Sequence, residues 1–246
     1  MKNKIIDLGF SSREVDELIK VSKNLEKDYE KLKQKYPIQY LIGYVNFYGY
    51  KIDVDENVLI PRYETELLVD KTINYIKKYF NNKINILDIG TGSGAISVAL
   101  KKSIDCNITG VDISKNALEV AKKNAKSNDV DINFLESDIF SNVEGKYDVI
   151  ISNPPYISRN EEVMDSVDKY EPHLALYAEN DGLYFYQNIL ENAKKYLNEK
   201  YIIAFEIGYW QGNIIKEYAL KYFSDSIILI EKDYTDRDRF IFIIKD

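Results

Sequence analysis

The strongest constraint on the fold is an alternation of apolar strand-like segments with amphipathic helical segments that begins at residue 84. Buried strands are predicted at residues 84–89, 107–111, 131–135, 147–152 and 201–207. Helical patterns separate them, the longest at residues 182–197, and such connections produce a parallel sheet with helices on both faces. The last two strands, at residues 227–230 and 240–243, are joined by a short polar link, which predicts an antiparallel edge hairpin. The sequence therefore predicts an α/β fold around a mostly parallel, seven-stranded sheet.

A segment rich in lysine and glutamate precedes the alternation. Apolar residues recur at helical spacing through residues 1–36, and residues 11–14 (Ser-Ser-Arg-Glu) have the pattern of a capping box. Pro37 is expected to stop this helix, because a helix interior does not accommodate proline. Residues 1–40 are therefore predicted to form a small helical N-terminal domain.

A short stretch of aromatic and β-branched residues follows. Residues 44–48 and 50–54 have strand-like composition, and Gly49 between them favours a tight turn, so they are predicted to form a hairpin. This places a β-hairpin linker at residues 41–62. The main domain is then expected to occupy residues 63–246.

Composition narrows the class of protein. The chain has 246 residues, 45% of them hydrophobic and 30% charged, which excludes a disordered chain and permits a sizeable core. No apolar run approaches the roughly 18 residues of a membrane span, so no membrane association is expected. One cysteine and one histidine leave little for a disulfide or a zinc site. No signal peptide is recognisable either, and the expected location is cytoplasmic.

The charge balance bears on possible partners. The net charge is −7, and the lysines lie mostly on predicted helices rather than in one stripe. Because affinity for nucleic acid depends on neutralising phosphates with a basic surface, a nucleic-acid-binding enzyme is disfavoured.

A glycine-rich loop, Gly90-Thr91-Gly92-Ser93-Gly94, directly follows the first strand of the alternation and opens a helix. Glycines allow a tight turn and close approach of a ligand to the backbone, and the helix start offers unpaired N–H groups. Dinucleotide-binding loops have the spacing G-x-G-x-x-G around a pyrophosphate, whereas this loop has G-x-G-x-G and is preceded by Asp88. An acid there would repel a pyrophosphate and suit a cationic group, such as the amino group of a methionine moiety.

Two further acids follow the next two strands. Asp112 ends the second strand, where a carboxylate can accept both hydroxyls of a ribose. Asp138 follows the third strand and could accept the exocyclic amine of adenine, with Ile139 and Phe140 packing against the ring. Open α/β sheets bind ligands at the carboxyl ends of their strands. In this order, the loop and the acids predict an S-adenosylmethionine site.

The segment Asn153-Pro154-Pro155-Tyr156 ends the fourth strand. Two prolines stiffen it and remove two N–H donors while leaving the carbonyls free to accept. The side-chain oxygen of Asn153 and the carbonyl of Pro154 could therefore grip a planar NH2 group, with Tyr156 against its flat face. Such a grip would position an amide nitrogen in line with an activated methyl carbon, without a metal. The intact segment argues against a module that only binds the cofactor.

Several motifs together resemble one family. DIGTGSG, VDIS, SNPPYI, YEPHLAL with NDGL, and IPRYETE are similar to the peptide chain release factor N5-glutamine methyltransferases, from about residue 43 onward. The resemblance implies a Rossmann-like class I methyltransferase. It also implies methyl transfer from S-adenosylmethionine to the side-chain amide of the glutamine in the Gly-Gly-Gln motif of release factors.

Combining the motifs with the resemblance gives a set of predicted site residues. The predicted cofactor site comprises Asp88, Gly90, Thr91, Gly92, Ser93, Gly94, Asp112, Asp138, Ile139 and Asn153. The predicted catalytic residues are Asn153, Pro154, Pro155 and Tyr156. Arg62, Glu64 and Glu66 either border this site or belong to the start of a helix, and His173 is expected in a loop.

The chain departs from the family pattern at three places. Tyr63 stands where proline is usual, Asp236 where glycine is usual, and the helical N-terminal domain of the family is usually longer than residues 1–40. Since that domain is implicated in docking the release factor, two other substrates stay open. One is a glutamine of a ribosomal protein. The other is the N6 amine of adenine in nucleic acid, because Asn-Pro-Pro-Tyr also occurs in enzymes that methylate it.

Overall fold

The computed structural model describes residues 1–246. Its strands are β1 (Tyr44–Phe47), β2 (Tyr50–Asp53), β3 (Ile84–Ile89), β4 (Cys106–Asp112), β5 (Asn133–Glu136), β6 (Tyr147–Ser152), β7 (Leu197–Glu206), β8 (Ile227–Lys232) and β9 (Asp238–Lys245). Its helices are α1 (Lys2–Ile6), α2 (Ser12–Val21), α3 (Leu25–Lys33), α4 (Ile38–Ile42), α5 (Tyr63–Tyr79), α6 (Ala95–Ser103), α7 (Lys115–Ser127), α8 (Asp165–Tyr170), α9 (Glu179–Gly182), α10 (Tyr184–Asn192) and α11 (Gly212–Tyr222). Short 3-10 turns lie at His173–Ala175 and Ala193–Lys195. No helix combines the length and apolar character that crossing a membrane requires.

Seven strands form one sheet in the order β5-β4-β3-β6-β7-β9-β8. Five neighbouring strands, β5, β4, β3, β6 and β7, are mutually parallel. Strand β9 is antiparallel to both of its neighbours, β7 and β8. The predicted parallel sheet with an antiparallel edge hairpin is therefore confirmed. The chain runs outward from β3 through β4 to β5 and then returns to β6 on the other side of β3. This reversal leaves a crevice at the carboxyl ends of β3 and β6.

Both faces of the sheet are covered, as the run of apolar residues in its strands requires. Alternate residues of β3 point to opposite faces: Ile86 belongs to one buried cluster and Leu87 to the other. The first cluster includes apolar residues of α5, α6 and α7, and the second includes those of α10 and α11. Right-handed crossovers from β3 towards β5 place their helices on one face of the sheet. Those from β6 towards β7 run in the opposite direction and place their helices on the other face.

The N-terminal segment is divided more finely than its sequence suggested. The capping box is confirmed, since Ser11 and Glu14 bond each other's backbone. A single helix ending at Pro37 is wrong, because Asn24 caps a new helix, α3, and Pro37 instead precedes α4. The four helices share a small buried cluster, which consists of Ile5, Val15, Leu18, Leu32 and Ile38. A domain boundary near residue 40 stays a prediction.

Two other predicted elements have different bounds. The helix predicted at residues 182–197 ends at Asn192, and Leu197 already begins β7, where it pairs with Tyr147 beside a bulge. The polar stretch after Leu197 concealed this extension of the strand. The third strand of the alternation begins at Asn133 rather than at residue 131. Asp236 lies in a turn and has φ 64°, a left-handed conformation that aspartate tolerates better than most residues.

The buried side chain of Asn124 joins the β1–β2 hairpin to the glycine-rich loop. Its Oδ1 accepts from the backbone N–H of Asp53 at 2.7 Å, and its Nδ2 donates to the carbonyls of Asp53 and Ser93, each at 2.9 Å. Asn124 is fully buried, so water cannot replace these bonds. The hairpin linker is thereby fixed against α7 at the rim of the crevice.

Replacing Asn124 by alanine should therefore destabilise the protein. Asn124→Ala would remove three hydrogen bonds and leave the carbonyl of Ser93 buried without this partner, so the free energy of unfolding should fall by about 3 kcal/mol. Urea denaturation measures this change. The matched control is Asn107→Ala, at an exposed position, which should cost less than about 0.5 kcal/mol. Equal costs for the two variants would contradict the role of Asn124.

Candidate active site

The crevice at the carboxyl ends of the parallel strands contains a cavity with an empty volume of about 840 Å³, including space open to solvent. Of the predicted site residues, it is lined by Gly90, Gly92, Asp112, Asp138, Ile139, Asn153, Pro154 and Pro155. Two smaller cavities adjoin it and share Leu59 and Asn153 with it. Thr91 and Ser93 line one of these cavities and Tyr156 the other. The topology thus brings most of the predicted residues to one place.

The glycine-rich loop is held against β4 by its own backbone. The N–H groups of Gly90 and Thr91 both donate to the carbonyl of Val111, at 2.8 and 2.9 Å. Gly92 has φ 54° and Gly94 φ 77°, conformations that L-residues adopt only with strain. A side chain at Gly94 would also place its Cβ only 3.1 Å from that of Ala121. Gly94 therefore serves packing against α7 rather than the cavity wall.

Asp88 lies behind the loop and does not line the cavity. Its side chain is completely buried, and its Oδ2 accepts from the hydroxyls of Thr91 and Ser97, each at 2.7 Å. Its Oδ1 has no hydrogen-bond partner, and burial raises the pKa of the carboxyl to about 6. The Asp88 side chain does not reach the cavity in this geometry, and its contact with a cationic ligand group stays a prediction. Through its bond with Thr91, Asp88 instead holds the glycine-rich loop from the buried side.

Asp112 is aimed into the cavity and held in place. Its Oδ2 accepts from the N–H of Gly92 and its Oδ1 from that of Ser114, each at 2.9 Å. Burial raises the pKa of this carboxyl, while the two backbone bonds lower it. Each carboxylate oxygen keeps a further lone pair, so two hydroxyls can still be accepted.

The loop after β5 forms the next part of the wall. Asp138 is exposed at the cavity, and Ile139 has φ 49°, which is a strained conformation for a β-branched residue. Phe140 does not line the cavity, contrary to expectation. Its ring is buried and stacks on Tyr196, with centroids 4.4 Å apart, because this side of the loop faces the core.

The Asn153 side chain stands where three cavities meet. Its Nδ2 donates to the hydroxyl of Thr65 at 3.0 Å, and that hydroxyl donates to the carboxylate of Glu206 at 2.7 Å. The next two residues, Pro154 and Pro155, continue along the cavity wall. The Oδ1 of Asn153 makes no hydrogen bond within the chain. Because this atom is also not fully buried, it is available to a ligand.

Tyr156 is positioned through its backbone. Gln211, which is fully buried, donates from Nε2 to the carbonyl of Tyr156 at 3.1 Å and accepts from the N–H of Gly208 at 2.8 Å. Gly182 packs on the same carbonyl, and a Cβ at Gly182 would lie 2.1 Å from it. The NDGL motif therefore supports the loop after β6. Gln211 lies outside all the motifs recognised in the sequence.

An ion pair closes the other side of the site. Glu171 is buried, accepts from the N–H of Ile60 at 3.1 Å, and pairs with the guanidinium of Arg62. This joins the segment before α5 to the loop that carries Pro172 and Leu174 to the cavity wall. Arg62 lines the two smaller cavities and also directly precedes α5. It therefore both borders the site and lies at the start of a helix.

His173 stands apart from this pair. Two-thirds of its side chain is exposed, it does not line the cavity, and its Nε2 lies 2.6 Å from the carbonyl of Asp168.

Comparisons with known proteins find similarity to methyltransferases. The family model "Methyltransferase small domain" matches residues 64–170, and "Eco57I restriction-modification methylase" matches residues 123–230. A methyltransferase structure from Pyrococcus furiosus aligns with a TM-score of 0.57 at 23% identity, over 79% of this chain and 89% of that chain. This likeness supports the fold.

Two relatives are much more similar in sequence. The release factor glutamine methyltransferase of Streptococcus pneumoniae is 43% identical over 222 residues, which are 89% of this chain and 78% of that protein. The protein of the same name from Lactococcus lactis subsp. lactis is 41% identical over 244 residues, which are 98% of this chain and 85% of that protein.

The buried carboxyl of Asp88 makes stability depend on pH. Because its pKa rises from 3.8 to about 6 on folding, its protonation favours the folded state. This contribution is complete below pH 3.8 and is lost as the pH rises through about 6. Asp88→Asn removes it, so the stability of the variant relative to the wild type should increase by on the order of 3 kcal/mol between pH 4 and pH 7.5.

Urea denaturation at the two pH values measures this difference. Asp131→Asn, at an exposed position, is the matched control and should track the wild type. A difference between Asp88→Asn and the wild type that does not change with pH would refute the shifted titration.

Proposed function

The chain belongs to the release factor glutamine methyltransferases, and from that membership we propose that it methylates the side-chain amide of a glutamine in peptide chain release factors. The methyl donor would be S-adenosylmethionine, and the target the glutamine of the Gly-Gly-Gln motif. One observation supports this most strongly. The glycine-rich loop, Asp112 and Asn153 line a single cavity, so a donor and an amide acceptor can meet there.

The residues present fit the methyl donor. The loop approaches the cavity without side chains at Gly90 and Gly92, and Asp112 keeps lone pairs for two ribose hydroxyls. Asp138 can accept an adenine amine, with Ile139 beside the ring. Bound S-adenosylmethionine would supply a methyl group already activated by its sulfonium, so the site needs to provide only position. No metal is required for such a reaction.

The acceptor amide would be held by Asn153 and the Pro154 carbonyl. One N–H of the glutamine donates to the Oδ1 of Asn153 and the other to the carbonyl of Pro154. The nitrogen then forms a bond to the methyl carbon as the carbon–sulfur bond breaks, the electron pair passes to sulfur, and one N–H proton is released. An aligned pair of reactants removes much of the entropic barrier. Three apolar residues, Leu174, Ala175 and Phe185, also line this cavity.

Adenine in nucleic acid is the second candidate acceptor. The match to a restriction-modification methylase over residues 123–230 favours it, because that range contains the Asn-Pro-Pro-Tyr segment. The net charge of −7 counts against it. A glutamine of a ribosomal protein is the third candidate, and it would use the same grip.

Methyl transfer to purified release factor distinguishes these acceptors. With radiolabelled S-adenosylmethionine, we expect label on the wild-type release factor and none on a version with Gln→Ala in its Gly-Gly-Gln motif. Parallel reactions contain ribosomal protein or DNA as the acceptor. Label on either of these, with none on the release factor, would overturn the proposal.

The amide grip predicts a specific loss in Asn153→Ala. Removing one positioned hydrogen-bond acceptor should lower kcat by about 100-fold or more, as the loss of a single oriented polar group does in other active sites. The Kd for S-adenosylmethionine, measured by calorimetry, should stay within about fivefold. Asn160→Ala, in the exposed part of the same loop, should retain wild-type turnover. Wild-type turnover in Asn153→Ala would refute the assignment.

A further inference from the structure

A buried hydrogen-bond chain lies directly behind Asn153. Thr65, in the first turn of α5, is 5% exposed, and Glu206, the last residue of β7, is 2% exposed. The chain runs from the Nδ2 of Asn153 to the Thr65 hydroxyl at 3.0 Å and from that hydroxyl to Glu206 at 2.7 Å. Three separate elements, β6, α5 and β7, converge on it. None of the roles derived above requires Thr65 or Glu206.

The direction of this chain is set by the number of protons in it. The Thr65 hydroxyl has one proton, and an ionised carboxylate can only accept, so that proton goes to Glu206. The hydroxyl then offers Asn153 only lone pairs. The NH2 group of Asn153 can fill them, whereas its Oδ1 would meet another acceptor. The amide is therefore fixed with Nδ2 inward and Oδ1 toward the cavity.

We propose that Thr65 and Glu206 are positioning residues that set the orientation of the Asn153 amide and thereby select acceptors that donate N–H bonds. A flipped Asn153 would present NH2 to the cavity and repel a substrate NH2 group. A primary amide or amine is accepted, and a carboxylate such as glutamate, the product of glutamine hydrolysis, is refused. This inference deepens the proposed function and rests on it.

The ionisation of Glu206 depends on pH. Burial, and to a smaller extent the charge of Glu64, raises the pKa of its carboxyl to about 7, while the bond from Thr65 and the cations Arg239 and Arg62 partly oppose this shift. The Tyr186 hydroxyl donates to the backbone carbonyl of Glu206 at 2.8 Å, which fixes the end of β7. The titratable and charged groups that face Glu206 are Arg62, Glu64, Tyr156, Tyr186 and Arg239. At pH 8 the carboxylate accepts only, so the experiments below use that pH.

A matched pair of variants tests the hydroxyl. Thr65→Val keeps the shape of the side chain but removes the hydroxyl, and Thr65→Ser keeps the hydroxyl. With release factor as substrate, kcat of Thr65→Val should fall about ten- to a hundredfold, because orientation is lost while remote contacts still bind the substrate. Thr65→Ser should stay within about threefold of the wild type, and the Kd for S-adenosylmethionine within about threefold in both. A Thr65→Val variant as active as Thr65→Ser would overturn the inference.

A second pair tests the carboxylate. Glu206→Gln can still accept the Thr65 proton through its amide oxygen, so its kcat should fall less than about fivefold. Glu206→Leu removes the acceptor and frees the hydroxyl to donate to Asn153, so its kcat should fall as far as that of Thr65→Val. Equal activity of the two variants, with circular dichroism showing both folded, would also overturn the inference.

An NMR measurement tests the orientation without any turnover. The side-chain NH2 resonances of Asn153, identified by their absence in Asn153→Ala, should be protected from solvent exchange in the wild type and in Thr65→Ser. They should lose that protection in Thr65→Val. Unchanged protection in Thr65→Val would refute the positioning role. Absence of methyl transfer by the wild type, with this NMR pattern intact, would instead refute the proposed function alone.

Discussion

The two neighbours of β3 determine where the glycine-rich loop, Asp112 and Asn153 lie. Because β4 and β6 flank β3 in parallel, the carboxyl ends of all three strands open at the same edge, and the reversal of strand order leaves a crevice between their loops. The glycine-rich loop and Asn153 come directly after β3 and β6, and Asp112 is the last residue of β4. Their proximity is thus a property of the backbone, and the side chains only complete it.

Buried polar side chains then fix the loops that carry the site. Asn124 holds the glycine-rich loop to the hairpin, Gln211 holds the loop after β6, and Glu171 holds the segment before α5. Each of these side chains bonds to backbone groups or to a charged partner. Without such bonds, these polar groups would lack partners away from water. The result is a rigid frame around a cavity, which is what a reaction limited by positioning requires.

Much of this arrangement follows from the sequence, because its signals are local. The strands, the glycine-rich loop, Asp112 and Asn153 are each recognisable within a few residues of chain. The partners of Asn153 are not, since Thr65 lies 88 residues away from it and Glu206 lies 141 residues from Thr65. The prediction that Phe140 packs against a bound ring is wrong for a related reason. Ile139 has a strained conformation, and the side chain of Phe140 after it lies in the core. Only the packed sheet shows such relations.

We infer that the Oδ1 of Asn153 accepts a hydrogen bond from the acceptor amide, in a cavity that would also bind the methyl donor. A crystal structure of the protein with S-adenosylhomocysteine and a release factor measures this most directly. We expect the side-chain nitrogen of the Gly-Gly-Gln glutamine to lie within about 3.2 Å of the Asn153 Oδ1, with the ribose of the bound product on Asp112. A glutamine held elsewhere, or an Asn153 amide that presents its nitrogen to the glutamine, would contradict it.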